Sequence, residues 1–240
     1  MKSINSLFWR FDVIAVTLCF LVFLIWPALD LHAARVFFDS ESQVFFSKDY
    51  LIVKVFYEIF AYIQFPMLLG LFGVVGYALF KKNKTLRSKT LFLICCLVLG
   101  PGLLVNLVLK DNSVGRARPK QVVEFGGEHQ FTSPFEYSGA CQRNCSFSSG
   151  HASIGFVFLS LLWVAGRRRY FVGGVVLGGL LGLMRMAQGG HFLSDVIFSF
   201  WVVYFSSLFL ARVFDLCLHK PEGVQPEEHF IPEPADPEAA

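Results

Sequence analysis

The stretch TLFLICCLVLGPGLLVNLVL, Thr90–Leu109, is twenty residues without a charge, set between Lys89 and Lys110. A helix rising about 1.5 Å per residue needs about twenty residues to cross about 30 Å of hydrocarbon. In lipid a chain must satisfy its own backbone groups, and a run this long does so as a helix rather than as a barrel strand. Outward from it lie five further apolar runs, Phe11–Leu29, Ile59–Phe80, Ala152–Ala165, Tyr170–Ala187 and Val196–Phe214. Ala152–Ala165 is short and is read as extending back through Ser149–His151. The expected fold is all-α, a polytopic membrane protein with six transmembrane helices around a helical-bundle core.

Composition agrees. Hydrophobic residues make up 55% of the 240 and charged residues only 16%, against about 25% charged in a soluble domain. That excludes both an ordinary soluble globule and a disordered chain. Residues 221–240 hold six acids, five of the ten prolines and no Lys or Arg. They are expected to form a disordered acidic tail after a membrane domain over 1–220. With the net charge at +3, removing the tail leaves +9 on residues 1–220. The first run resembles a signal peptide, but no small-x-small cleavage site follows it, and it is read as a retained span.

Cytoplasmic loops are rich in Lys and Arg. The N-terminus, Lys81–Lys89, Gly166–Arg169 and the C-terminal segment counted from Arg212 carry twelve; the much longer segments between the other span ends carry nine. KKNKTLRSK (81–89) and GRRR (166–169) therefore mark the cytoplasmic side, with both termini inside. Gly174, Gly178 and Gly182 recur every fourth residue, and Gly70, Gly73 and Gly76 every third. Both sets are read as faces where helix backbones approach closely.

Three polar clusters then fall on the outward face. Lys110, Arg116, Arg118 and Lys120 lie within eleven residues, on the side where the charge rule expects few cations. A solvated basic rim accounts for them, and so does an anion site, since Arg matches phosphate oxygens with a planar fork and Lys adds a point charge. Ser148-Ser149-Gly150-His151 opens an apolar helix. Such a turn is either a plain cap or an anion cradle of unpaired N–H groups. Arg185-x5-His191-x3-Asp195 spans the next turn. The four-residue spacing lets Asp195 take the imidazole N–H of His191 and fix its tautomer. Together the clusters supply cations for phosphate oxygens, one imidazole to attack and another to protonate the leaving group.

The order Lys…Arg-Pro, Ser-Gly-His, Arg-x5-His-x3-Asp resembles the three-part signature of the type-2 phosphatidic acid phosphatase superfamily. The resemblance covers Lys110–Asp195. It implies a metal-independent phosphatase without a cofactor, in which His191 is the nucleophile forming a phosphohistidine and Asp195 orients it. It makes His151 the general acid, and Lys110, Arg118, Ser149, Gly150 and Arg185 the phosphate-binding set. The sequence departs from the pattern in three places. Seven residues rather than six separate Lys110 from Arg118, so Arg116 is an alternative ligand; Ser148 stands where proline is usual; and Met184 stands where serine is usual.

A site at headgroup depth favours a lipid phosphate, and the partners expected are that lipid and the bilayer, with no nucleic acid. The loop ending in Asn144-Cys-Ser-Phe-x-Ser-Gly-His151 is similar to bacterial members that include lipid A phosphatases. The leading substrate is lipid A at its 1- or 4′-phosphate, in the inner membrane with the site facing the periplasm. Undecaprenyl pyrophosphate hydrolysis, or phosphate transfer onto lipid A, is the alternative. Cys141 and Cys145 stand in the same outward loop, either bridged or as two thiols.

Overall fold

Prolines decide where the first helices break. A computed structural model describes residues 10–46 and 50–216; the acidic tail, Lys2 and Cys217 lie outside the described residues. Helix α1 (Phe11–Ile25) stops before Pro27, and α2 (Ala28–Arg35) leaves it at 88°. The apolar run predicted to continue to Leu29 is thus two helices, because proline supplies no N–H to the ladder. Helices α3 (Leu51–Tyr62) and α4 (Gln64–Phe80) bend by 40° where they meet. Pro66 sits in the first turn of α4, and its ring meets the carbonyl four residues back, at Tyr62, so the helix cannot run straight through.

The decisive run lies within α5 (Lys84–Lys110). Asn83 caps it by accepting the Leu86 N–H at 2.9 Å. From Val98 to Lys110 the winding loosens to a π-helix around Pro101, whose carbonyl accepts the Asn106 side-chain N–H at 2.8 Å. Helix α6 (Gly150–Ala165), with a tighter turn at Val157–Ser160, ends at Gly166 in the left-handed region. Helices α7 (Arg168–Ala187) and α8 (Leu193–Val213) follow.

The glycines of α7 let it lie directly on its neighbours. A Cβ at Gly174 would stand 2.2 Å from the Leu159 backbone N, one at Gly178 2.2 Å from the Phe156 ring, and one at Gly182 2.3 Å from Val196. Around this seam Phe92, Leu97, Ala152, Ile154, Leu159 and Val203 form the core. The glycines of α4 differ from expectation: a Cβ at Gly70, Gly73 or Gly76 would meet nothing within 4 Å among the described residues.

The described residues are mostly helical, with a two-stranded ladder, β1 (Phe38–Asp39) against β2 (Val44–Phe45). Among the described residues three helices, α5, α7 and α8, are long and apolar enough to cross a membrane, and up to five crossings result if each bent pair counts as one. Helix α6 is apolar but shorter. The β-ladder and the long connection after α5 cover one end of the bundle, burying Phe38, Phe45, Phe125 and Phe192 together. The three polar clusters gather beneath that cover.

Candidate active site

Lys110 is the last residue of α5 and meets α6 where α6 begins. A Cβ at Gly150 would fall 2.5 Å from Asn106 Oδ1 and 3.5 Å from Lys110 Nζ. The missing side chain at Gly150 leaves room for this approach, which joins the first and second sequence clusters. Ser149 caps α6, and its backbone N–H donates to Ser199 Oγ at 2.8 Å, pinning the helix start to α8.

His151 stacks on the Tyr57 ring with centroids 4.5 Å apart, and its Nε2 lies 3.3 Å from the Tyr57 carbonyl. The guanidinium of Arg185 lies over the same ring at 4.7 Å. One aromatic side chain of α3 thus holds a residue of each of the last two clusters. Arg185 also donates to Gln188 Oε1, while its Nε is buried without a partner among the described residues. At Gly190 a Cβ would meet Arg185 Nη2 at 2.5 Å, so a side chain there would displace the guanidinium. Arg118 donates to the Asn144 carbonyl at 2.8 Å, and burial lowers its pKa from the ordinary value. Arg118, Arg185, Tyr57, Gln188 and Gly190 line a polar cleft of about 320 Å³.

His191 is fully buried. Its Nδ1 lies 2.7 Å from the Ser146 carbonyl, so that nitrogen carries the proton and donates. Nε2 has no hydrogen-bond partner among the described residues, which leaves its lone pair for chemistry. Burial, reinforced by Arg185 and Lys110, pushes the imidazole pKa down to about 3 against the opposing pull of Asp195, keeping the ring neutral.

Asp195 differs from its expected role in one respect. Its Oδ2 is 3.6 Å from Nδ1, beyond the hydrogen bond the spacing predicts. Ser146 takes that position, and Asp195 holds Ser146 in turn by accepting its hydroxyl at 2.5 Å. Asp195 also accepts the Phe192 N–H at 2.8 Å and Arg116 Nη1 at 2.9 Å. It therefore acts on His191 through Ser146 and through its charge.

Arg116 does not line the cleft. It is buried between the Phe131 and Phe192 rings and engages Asp195, Asp30, Ser194 and the Thr132 carbonyl. Arg118 is thus the guanidinium of that loop that faces the cleft. Cys141 and Cys145 are bridged, with Cα atoms 5.5 Å apart, directly before Ser146.

The eight predicted residues gather at one end of the bundle. Sequence reasoning missed Tyr57, Asp30 and Ser146. Asp30 carried a usable signal, a carboxylate beside an apolar run, where ionisable groups mark function by default. Tyr57 and the Ser146 carbonyl carried none.

The comparisons with known proteins point the same way. Over 213 residues, 81% of this chain and 95% of the relative, it is 41% identical to a lipid A 4′-phosphatase of Francisella tularensis subsp. novicida (strain U112). It is 44% identical over 104 residues to a lipid A 4′-phosphatase of Rhizobium leguminosarum, covering 42% of this chain and 44% of that protein. A lipid A 1-phosphatase of Rhizobium etli is 32% identical over 179 residues, 68% of this chain and 72% of that protein. No solved structure matches. Residues 89–217, which hold all eight predicted site residues, match the PAP2 superfamily, and the chain belongs to that superfamily.

Proposed function

We propose that this protein is a membrane phosphatase that removes the 4′-phosphate of lipid A through a phosphohistidine on His191. The observation that carries this reading is a buried, neutral imidazole with its Nδ1–H fixed and its Nε2 unpartnered among the described residues, beside a cleft lined by Arg118 and Arg185. Lys110, Arg118 and Arg185 bind the equatorial phosphate oxygens, helped by Ser149 and the Gly150 N–H. The Nε2 lone pair forms the N–P bond while the P–O bond to the sugar breaks. His151 gives its proton to the departing oxygen. Water then attacks phosphorus and gives a proton to His151, and the P–N bond breaks to release inorganic phosphate and the neutral His191 ring.

The 4′ position is favoured over the 1 position by the relatives: 41% identity over most of the chain to a 4′-phosphatase, against 32% to a 1-phosphatase. Six crossings, with the bent pairs and α6 each counted as one, put both termini in the cytoplasm and the site at the periplasmic face of the inner membrane. The Lys/Arg distribution supports that orientation.

Mass spectrometry of lipid A from a host expressing the chain tests the reading. Loss of one phosphate, located at 4′ by fragmentation, is expected with the wild type and not with His191→Ala. An unchanged spectrum from folded protein moves the substrate to undecaprenyl pyrophosphate. Full activity in His191→Ala overturns the mechanism.

A further inference from the structure

Beneath His191 the buried charges are unequal. Asp30, Arg116 and Asp195 are each no more than 1% exposed, and one guanidinium bridges two carboxylates. Arg116 Nη1 donates to Asp195 Oδ1 at 2.9 Å, and Nη2 to Asp30 Oδ2 at 2.8 Å. Asp30 further accepts the Ser194 N–H at 2.8 Å and the Ser194 hydroxyl at 2.5 Å. Asp30 comes from α2, outside the segment 89–217 that matches the superfamily.

We propose that Asp30 is a positioning and charge-balancing residue for the phosphohistidine step, acting through Arg116 and Asp195 on His191. The inference rests on the phosphatase reading above. When Nε2 forms its bond to phosphorus, the P–O electrons leave with the oxygen and Nδ1 keeps its proton. The ring therefore becomes a cation. In a buried site a new cation needs a nearby anion, because water does not screen it. Lys110 and Arg185 already act on His191 with positive charge. Arg116, on the other oxygen of Asp195, offsets part of the negative charge that Asp195 presents to the ring. Asp30 occupies the other edge of the guanidinium and accepts three hydrogen bonds, from Arg116 and twice from Ser194; as a carboxylate it gives the trio one net negative charge. Its two bonds to Ser194 also fix the first turn of α8, which carries Asp195 one residue on.

The test uses the full chain in detergent with lipid A, comparing wild type, His191→Ala, Asp30→Asn and the double variant Asp30→Asn/Arg116→Gln. Asparagine removes the charge of Asp30, and glutamine keeps an N–H for Asp195. Asp30→Asn is expected to lower kcat by about tenfold with KM changed by less than about twofold. The double variant removes one charge of each sign and restores the net negative charge; its kcat is expected to exceed that of Asp30→Asn by about threefold or more. A purely structural role predicts a double variant no faster than the single one, and that result overturns the proposal. So does a kcat loss that matches the loss of folded protein by thermal unfolding. If Asp30→Asn does not fold, the double variant is read against the wild type. A kcat within about threefold then supports the proposal, and a larger loss overturns it. A wild type that releases no phosphate, or an active His191→Ala, instead defeats the phosphatase reading itself.

Discussion

His191 is held by contacts that separate its two nitrogens. Nδ1 donates to the Ser146 carbonyl, and Nε2 has no partner among the described residues. Because burial drives the imidazole down to about 3 in the folded state, from about 6.5 in a free chain, the unfolded form binds a proton in that interval and the folded form does not. Stability contributed by neutral His191 is complete above about pH 6.5 and is lost as pH falls toward 3. The slope from this group is at most about 1.4 kcal/mol per pH unit. Unfolding midpoints in detergent are expected to fall between pH 7 and 4.5, and to fall less steeply in His191→Gln, which does not titrate. Equal slopes would contradict the assignment. Tyr57 gives a second residue-scale prediction, since its ring holds both His151 and Arg185. Tyr57→Phe is expected to keep kcat/KM within about threefold, and Tyr57→Ala to lower it by about tenfold or more. The histidines, Asp195 and the cations were legible because each has a side-chain type and a spacing that chemistry restricts. The Ser146 carbonyl was not, since every residue owns one and only the fold selects which faces an imidazole 45 positions away.

At the scale of elements, sequence shows a face but not what the face meets. The glycine triads of α4 and α7 read alike, yet only α7 lies against other helices through its glycines. Gly174 would place its Cβ on the backbone of Leu159, which cannot rotate away, so Gly174→Ala must push α6 and α7 apart. It is expected to destabilise by about 1–3 kcal/mol, the ordinary cost of overpacking. Gly73→Ala meets open space and is expected to stay within about 0.5 kcal/mol of the parent. Unfolding of both variants in detergent separates them. The breaks at Pro27, Pro66 and Pro101 follow from the missing N–H and the fixed ring. What they do for the site did not follow, because α2 and α3 bring Asp30 and Tyr57 from positions whose neighbours are set only by packing. The bridged loop is read the same way: with Cys141 joined to Cys145, unreduced, denatured protein is expected to titrate four thiols of the six cysteines and all six after reduction. Six before reduction would refute the bridge.

The whole molecule separates its cations into two populations. One is the pair of clusters at 81–89 and 166–169, at connections between helices. The other, Lys110, Arg118 and Arg185, gathers at the end of the bundle covered by the loop after α5. In the orientation proposed above, the first satisfies the bias that retains positive loops in the cytoplasm, and the second violates it. A violation persists where charge has other work, and phosphate is the anion that this arrangement of forks and N–H groups fits. That orientation puts the cleft and the 81–89 cluster on opposite faces. Two exposed positions read this out, Lys84 at the start of α5 and Tyr137, 78% exposed, in the loop after α5. In a variant with its native cysteines replaced, Tyr137→Cys is expected to react with a membrane-impermeant maleimide in cells whose outer membrane alone is permeabilised. Lys84→Cys is expected to react only after the inner membrane is opened. The reverse pattern would put the cleft in the cytoplasm and remove access to lipid in the outer leaflet; labelling of both positions in intact cells would mean that the α5 segment does not separate them across the membrane.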